Sequence, residues 1–321
     1  MNHNLHPLQN WIPYKLSHTN NEVQCHWLNT FNKKFAEPFF DETITACKSL
    51  LRLNVYRESV SDLDAMVDWS GGFEEVAPTA IIFHISRCGS TLISQLLGTM
   101  EENISLAEVP FFDDILRLPY KNNDYREQAI ETLLKASLKF YGQVRNGKER
   151  HLFIKTDSWH ILFYKQLRRL YPDVPFILLY RRPDEVLNSH TKLWGVQAVP
   201  GLIEPELFGF KHKEIANLSL DEYTVKVLES YLKMYLEVTE NDKLSLLVSY
   251  SEGIIPIMNK IARFSNITIS EADLQKMQER SGYHSKHPGK VFSQDQPKDM
   301  PDFLSKAFKL YNAVEAKRVS G

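Results

Sequence analysis

The chain has 321 residues, 43% of them hydrophobic and 24% charged, with a formal net charge of -2. That length and apolar content support a large buried core, in one domain with an appendage or in two domains. The near-neutral balance excludes a whole-molecule field that would gather DNA, RNA or an anionic membrane, so any basic site is local. Cys25, Cys47 and Cys88 form an odd set with no CxxC pair, which argues against a disulfide framework and against structural zinc. No basic segment leads into an apolar run at the start, and no stretch of about 18 apolar residues occurs, so the chain reads as cytoplasmic and without a membrane span.

The character of the sequence changes near Pro78. Residues 1–77 read as an N-terminal extension or cap of unassigned role, irregular and polar apart from an amphipathic run from Thr43 to Leu51. From 78 to 321 short apolar runs alternate with helical stretches, the pattern of an α/β domain whose parallel sheet carries helices on both faces. The predicted strands are Ala80 to Ile85, Leu152 to Ile154, Pro175 to Tyr180 and Leu244 to Val248. Ser219 and Glu222 form a capping-box pattern ahead of a helix of about twenty residues. Ser270 to Asp273 opens another helix, and Pro301 to Glu315 reads as a closing one.

Two places carry chemistry. In the first, a buried strand runs into Ser86-Arg87-Cys88-Gly89-Ser90-Thr91 and then into an amphipathic helix. A helix start offers unpaired N–H groups and about half a positive charge, Gly89 admits close backbone approach, and Ser90 and Thr91 add hydroxyl donors, with Arg87 as a full charge. The Walker A pattern needs a second Gly and a Lys that are absent here. In the second, the strand ending at Tyr180 meets Arg181-Arg182-Pro183, with Pro183 suited to a helix's first turn and Ser189 inside that helix. Arginine plus hydroxyl suits a phosphate dianion. Cations at a helix start are unfavourable unless an anion joins them.

At these two motifs the sequence resembles the superfamily of sulfotransferases that use 3'-phosphoadenosine-5'-phosphosulfate (PAPS), closest in style to its tyrosylprotein and bacterial branch. The family's 5'-phosphosulfate loop reads roughly PKSGTT or PRSGTT after a first strand, and here Ser86 to Thr91 stand in its place. Its 3'-phosphate motif is a strand ending in Arg with Ser eight positions on, matched by Arg181 and Ser189. The run through Tyr250 is similar to the family's later strand, LxVxYExL. Resemblance covers about Pro78 to Phe264 and implies a three-layer, P-loop-like parallel sheet with ligands at the strands' C-terminal ends. The loop departs from the pattern in having Cys88 for the usual Ser and a single Gly. Backbone phosphate binding survives both changes, with Cys88 as a small filler.

The resemblance further implies sulfonate transfer from PAPS, leaving adenosine 3',5'-bisphosphate, to a small-molecule or peptide acceptor through its hydroxyl or amine, with no metal required. Glu108 stands where tyrosylprotein-type enzymes place a catalytic Glu and is the expected general base. Asp157 is the rival, since cytosolic enzymes hold their catalytic His there, and it can instead cap the helix beginning near Trp159. Lys155 matches the lysine of both branches and, with Arg87, is expected at the bridging oxygen. Arg280, Lys286 and Lys290 mark a late basic loop of the kind that closes over a nucleotide. Two other readings stay open: a P-loop-type kinase using magnesium ATP, and a non-catalytic nucleotide-binding module.

Overall fold

The structure is a computed structural model that describes residues 6–19, 22–52, 59–281, 283–284, 287–291 and 301–320. Strands β1 (Trp11–Thr19), β2 (Glu22–Asn29) and β3 (Ser59–Ser61) form an antiparallel sheet in that order. Strands β4 (Pro78–His84), β5 (Asn103–Ala107), β6 (His151–Lys155), β7 (Phe176–Tyr180) and β8 (Ser245–Ser249) form a parallel sheet flanked by helices, in the order β5-β6-β4-β7-β8. This is the α/β class that the alternating pattern predicts. The chain divides into two compact units, residues 1–79 with 94–155, and residues 80–93 with 156–321.

In the first unit, β1 puts Ile12, Tyr14 and Leu16 into the core while Lys15 stays exposed, a period-two pattern interrupted at Pro13, which is buried too and where the register shifts. The hairpin is tied to the helix Glu127–Tyr141 and to Gln143 just beyond it. The Tyr141 hydroxyl donates to the Pro13 carbonyl, and Gln143 donates to the Trp11 carbonyl while accepting from the Asn10 N–H. Leu16 N–H donates to an Asp114 carboxylate oxygen at 3.1 Å, which holds β1 against the helix Pro110–Leu116. Residues before Pro78 therefore form part of a core. Strand β5 lies parallel to β6 with Ala107 opposite Lys155.

Strand β5 is the one the apolar pattern does not predict. Its sequence, Asn-Ile-Ser-Leu-Ala, alternates polar and apolar as an exposed strand would, yet every residue is buried. Inside, Asn103 and Ser105 donate to the carbonyls of Leu97 and Ser94 at 3.0 and 2.8 Å, while Asn103 Oδ1 is buried without a partner. The sheet of β1 to β3 is missed as well, because apolar and polar residues are mixed along its strands.

In the second unit, β7 is buried at every position, so it reads as an unbroken apolar run. The long helix Leu220–Asn241 begins at the expected capping box: the Ser219 hydroxyl accepts from Glu222 N–H, and the Glu222 carboxylate accepts from Ser219 N–H. It buries Tyr223, Leu228, Tyr231 and Tyr235, and the Tyr235 hydroxyl donates to the Leu179 carbonyl at 3.1 Å. The closing helix runs Ser305–Ser320, somewhat later than predicted, and packs Ala307 with Leu187, Val225 and Leu304. The three cysteines are free and buried. Among the described residues, no helix is long and apolar enough to cross a membrane.

Burial pushes the Asp114 carboxyl above the usual carboxylate range, more than the Leu16 N–H and Lys121 pull it down. The folded state then binds this proton more tightly than the unfolded chain does. Its stabilising contribution is present below the unfolded value, about 3.9, and is lost as pH rises through the raised folded value. Asp114→Asn keeps an acceptor for Leu16 and removes the titration, so denaturant titrations should show a flatter loss of stability with rising pH across that window.

Candidate active site

Each unit presents one cluster at the C-terminal ends of its parallel strands. In the second unit β4 ends at His84, and the loop after it has Ser86 and Arg87 at φ of 65° and 50°, with Gly89 at 81°. Left-handed backbone at a residue with a side chain costs about 1–3 kcal/mol, so this loop is held by its surroundings rather than by its own preference. Cys88, between Arg87 and Gly89, is not left-handed, and such alternation of hand is the backbone pattern of anion-binding concavities. The helix Ser90–Thr99 begins immediately after; its Leu92 and Ile93 N–H groups donate to the Gly89 carbonyl at 3.1 and 3.3 Å, while those of Ser90 and Thr91 precede the first intrahelical acceptor. Ser90 and Thr91 are both buried. Cys88 is buried too, its thiol donating to the Leu179 carbonyl.

Two arginines organise the loop. Arg181 follows β7, and because Tyr180 pairs with Ser249 in the register of β7 and β8, Arg181 and Tyr250 leave the sheet side by side. The guanidinium lies 4.5 Å from the centre of the Tyr250 ring, and its Nη1 donates to the Arg87 carbonyl at 3.2 Å. Its Nε donates to Glu185, one helical turn on, at 2.6 Å. The Arg87 guanidinium donates to the Leu193 carbonyl. Tyr250 also closes on Gly89, where a Cβ would come within 2.7 Å of the ring. Glycine is thus required there twice, by its φ and by the tyrosine face above it.

Beside this cluster is a cavity of about 370 Å³ lined by Arg181, Arg182, Glu185, Ser249, Tyr250, Ser251, Gly253, Ile254 and Tyr311. Burial keeps the Tyr250 phenol above its usual range and therefore protonated, a donor as well as an acceptor. Burial likewise pushes Tyr311 up to about 12. Tyr311 comes from the closing helix, and its hydroxyl donates to Glu315 at 3.0 Å. Nothing in the sequence near Arg181 points to Tyr311. Glu185 has a signal, a carboxylate four residues after an arginine at a helix start.

In the first unit, Glu108 leaves β5 with φ 55° and its N–H donates to the Lys155 carbonyl at 2.8 Å, continuing the ladder one step past the strand. Lys155 is 2% exposed and its ammonium donates to the Glu108 carboxylate. The sequence places these two residues 47 positions apart, and the parallel register brings them into contact. The Phe39 ring lies 5.7 Å from the Lys155 ammonium. Partial burial, and after it the charge of Glu108, hold the nearby Asp41 carboxyl above its usual range.

The remaining candidates are placed by their own elements. Ser189 is half-buried in the helix Pro183–Lys192, roughly 9 Å along its axis from Pro183. Asp157 occupies the N-cap position of the 3-10 turn Ser158–Phe163, but its side chain makes no capping hydrogen bond. The carboxylate lies 3.7 Å from His160 instead, so the expected cap is present in position and absent in bonding. Arg280 lies in the last turn of the helix Glu271–Ser281, and Lys290 in a short strand, His287–Val291. Lys286 lies outside the described residues.

No protein-family model matches this sequence, and no curated protein does. Among solved structures, the chain is similar to the sulfotransferase domain from the curacin biosynthetic pathway, at 13% identity over 75% of this chain and 98% of that one, with a TM-score of 0.47. A sulfotransferase from Alicyclobacillus acidocaldarius matches at 12% identity, 76% and 95% coverage and a TM-score of 0.45. A mouse sulfotransferase complexed with PAP matches at 11% identity, 95% coverage of both chains and a TM-score of 0.37.

Gly89→Ala should lower stability by about 2 kcal/mol or more, combining a left-handed alanine with contact against Tyr250. Adding Tyr250→Ala should recover only the part due to the ring. Chemical denaturation of the two variants beside Tyr250→Ala alone measures both parts.

Proposed function

We propose that the chain is a sulfotransferase that moves the sulfonate of PAPS to a hydroxyl or amine of a small-molecule or peptide acceptor. The observation that carries this reading is the hydrogen bond from Arg181 to the Arg87 carbonyl. It joins the arginine suited to a ribose 3'-phosphate to the loop suited to a 5'-phosphosulfate, the two anions that set PAPS apart from ordinary nucleotides. The donor types fit such a molecule: loop N–H groups and the Ser90 and Thr91 hydroxyls for the phosphosulfate, Arg181 with Ser189 for the 3'-phosphate, and Tyr250 as an aromatic wall.

Glu108 takes the acceptor's proton as its oxygen or nitrogen attacks sulfur and the bond from sulfur to the bridging oxygen breaks. Lys155 and Arg87 meet the charge left on that oxygen, and adenosine 3',5'-bisphosphate departs. The transferred group carries less charge than a terminal phosphoryl, so fixed cations and N–H groups suffice in this scheme. Lys155 also positions the base, since its ammonium is hydrogen-bonded to the Glu108 carboxylate. Phe39 and Asp41, near Lys155 and Glu108, are the contribution of residues 1–77 to the acceptor side. In domain terms, residues 1–77 are then a cap on a sulfotransferase-like domain of 78–321.

Adenosine 3',5'-bisphosphate should raise the thermal midpoint of the protein where ADP and magnesium ATP do not, and Arg181→Ala and Ser189→Ala should abolish the shift. A response to magnesium ATP alone would overturn the reading in favour of a kinase. Selective binding with no turnover across hydroxyl and amine acceptors would favour the non-catalytic module. Glu108→Gln should leave bisphosphate affinity unchanged and lower kcat by about 10²–10⁴. Loss in Asp157→Asn instead would transfer the base role to Asp157.

A further inference from the structure

The strand predicted as Ala-Ile-Ile-Phe-His-Ile contains one polar residue, His84, and the proposed mechanism gives it no part. It is 5% exposed at the C-terminal end of β4. Both ring nitrogens face backbone. Nδ1 accepts from the Ser86 N–H at 3.1 Å, and Nε2 lies 3.0 Å from the Thr156 carbonyl oxygen. An amide N–H is only a donor and a carbonyl only an acceptor, so the geometry selects one state: neutral imidazole with its proton on Nε2. Thr156 is itself fixed, its N–H donating to the Ile82 carbonyl at 3.0 Å. The ring therefore bridges a fixed point next to Lys155 in sequence and the first left-handed residue of the anion loop, Ser86 at φ 65°.

We propose that His84 is the positioning residue of the phosphosulfate loop: its Nδ1 lone pair holds the Ser86 amide, and so holds the left-handed turn through Ser86 and Arg87 in the form that receives an anion. The identity of that anion rests on the sulfotransferase reading. General packing of a buried ring would not distinguish its two edges, whereas here acceptor and donor edges have separate tasks. The edge toward Ser86 shapes the loop, and the edge toward Thr156 fixes the ring's tautomer and orientation.

The two edges can be separated by substitution. In His84→Asn the amide oxygen occupies the place of Nδ1 and can still accept from Ser86. His84→Gln places its amide group near Nε2 and serves the Thr156 side only. Binding of adenosine 3',5'-bisphosphate and of PAPS is measured by calorimetry, with thermal midpoints of the ligand-free proteins alongside. His84→Asn should bind PAPS within about threefold of wild type, whereas His84→Gln and His84→Ala should lose about tenfold or more, as for a buried N–H left without its acceptor. The loss should be larger for PAPS than for the bisphosphate, which lacks the sulfonate the loop would hold, and should appear in KM for PAPS with KM for the acceptor unchanged.

Variants that differ in thermal midpoint but share wild-type affinity would show His84 to be a core residue only and overturn the proposal. Equal losses in His84→Asn and His84→Gln would overturn it too, since the acceptor edge would then have no separate role. A wild-type protein that binds neither PAPS nor the bisphosphate would overturn the sulfotransferase reading and this role together. Wild-type binding with unaffected His84 variants would overturn this role alone.

Discussion

The parallel register between neighbouring strands is the constraint on which both clusters depend. Tyr180 opposite Ser249 makes Arg181 and Tyr250 neighbours at the sheet's edge, and Ala107 opposite Lys155 does the same for Glu108 and Lys155. In a parallel pair the hydrogen bonds are evenly spaced, and every strand delivers its next residue to the same edge. A slip of one residue would send each of these side chains to the opposite face of its strand. The buried apolar side chains of β7 make such a slip costly, because they face helices on both sides of the sheet. Packing far from any ligand thus determines which charged groups meet.

Charge is handled by pairing at short range. Lys155 is almost fully buried, and an isolated ammonium there would lose several kcal/mol of hydration. Glu108 offsets that cost, yet its own carboxylate remains one-fifth exposed, so one end of the pair is dry and the other reaches solvent. Arg181 follows the same plan with Glu185 and with the Tyr250 ring. Each cation thus has a resting partner, and in the proposed reaction an incoming anion or a proton transfer replaces it.

How much of this is legible in the sequence depends on whether a residue announces its partner locally. Strands β4, β6, β7 and β8 are apolar runs whose predicted ends fall within two residues of the observed ones, and the Ser219 capping box reads directly. The anion loop and Arg181 are visible because strand, loop and helix start succeed one another in the chain. Strand β5 is hidden because Asn103 and Ser105 look solvent-facing until their carbonyl partners are known. Tyr311 reaches the cavity from a helix 130 residues after Arg181, and no local pattern carries that information. His84 lies in plain view as the polar residue of an apolar strand, but its meaning requires the positions of the Ser86 amide and the Thr156 carbonyl.

Left-handed backbone links these observations. Ser86, Arg87, Gly89 and Glu108 all have positive φ, all lie just past the end of a parallel strand, and only one is glycine. A motif search keyed to glycine therefore undervalues this loop, since the same turn is made here by residues for which it is conformationally costly. That cost is offset by groups outside the loop: His84 on the Ser86 amide, Arg181 on the Arg87 carbonyl, and the Lys155 carbonyl on the Glu108 amide. In each case the contact grips backbone and leaves the side chain out of the bond. The side chains of Arg87 and Glu108 therefore do not hold these turns, whereas two of the three grips, those of His84 and Arg181, depend on a particular side chain.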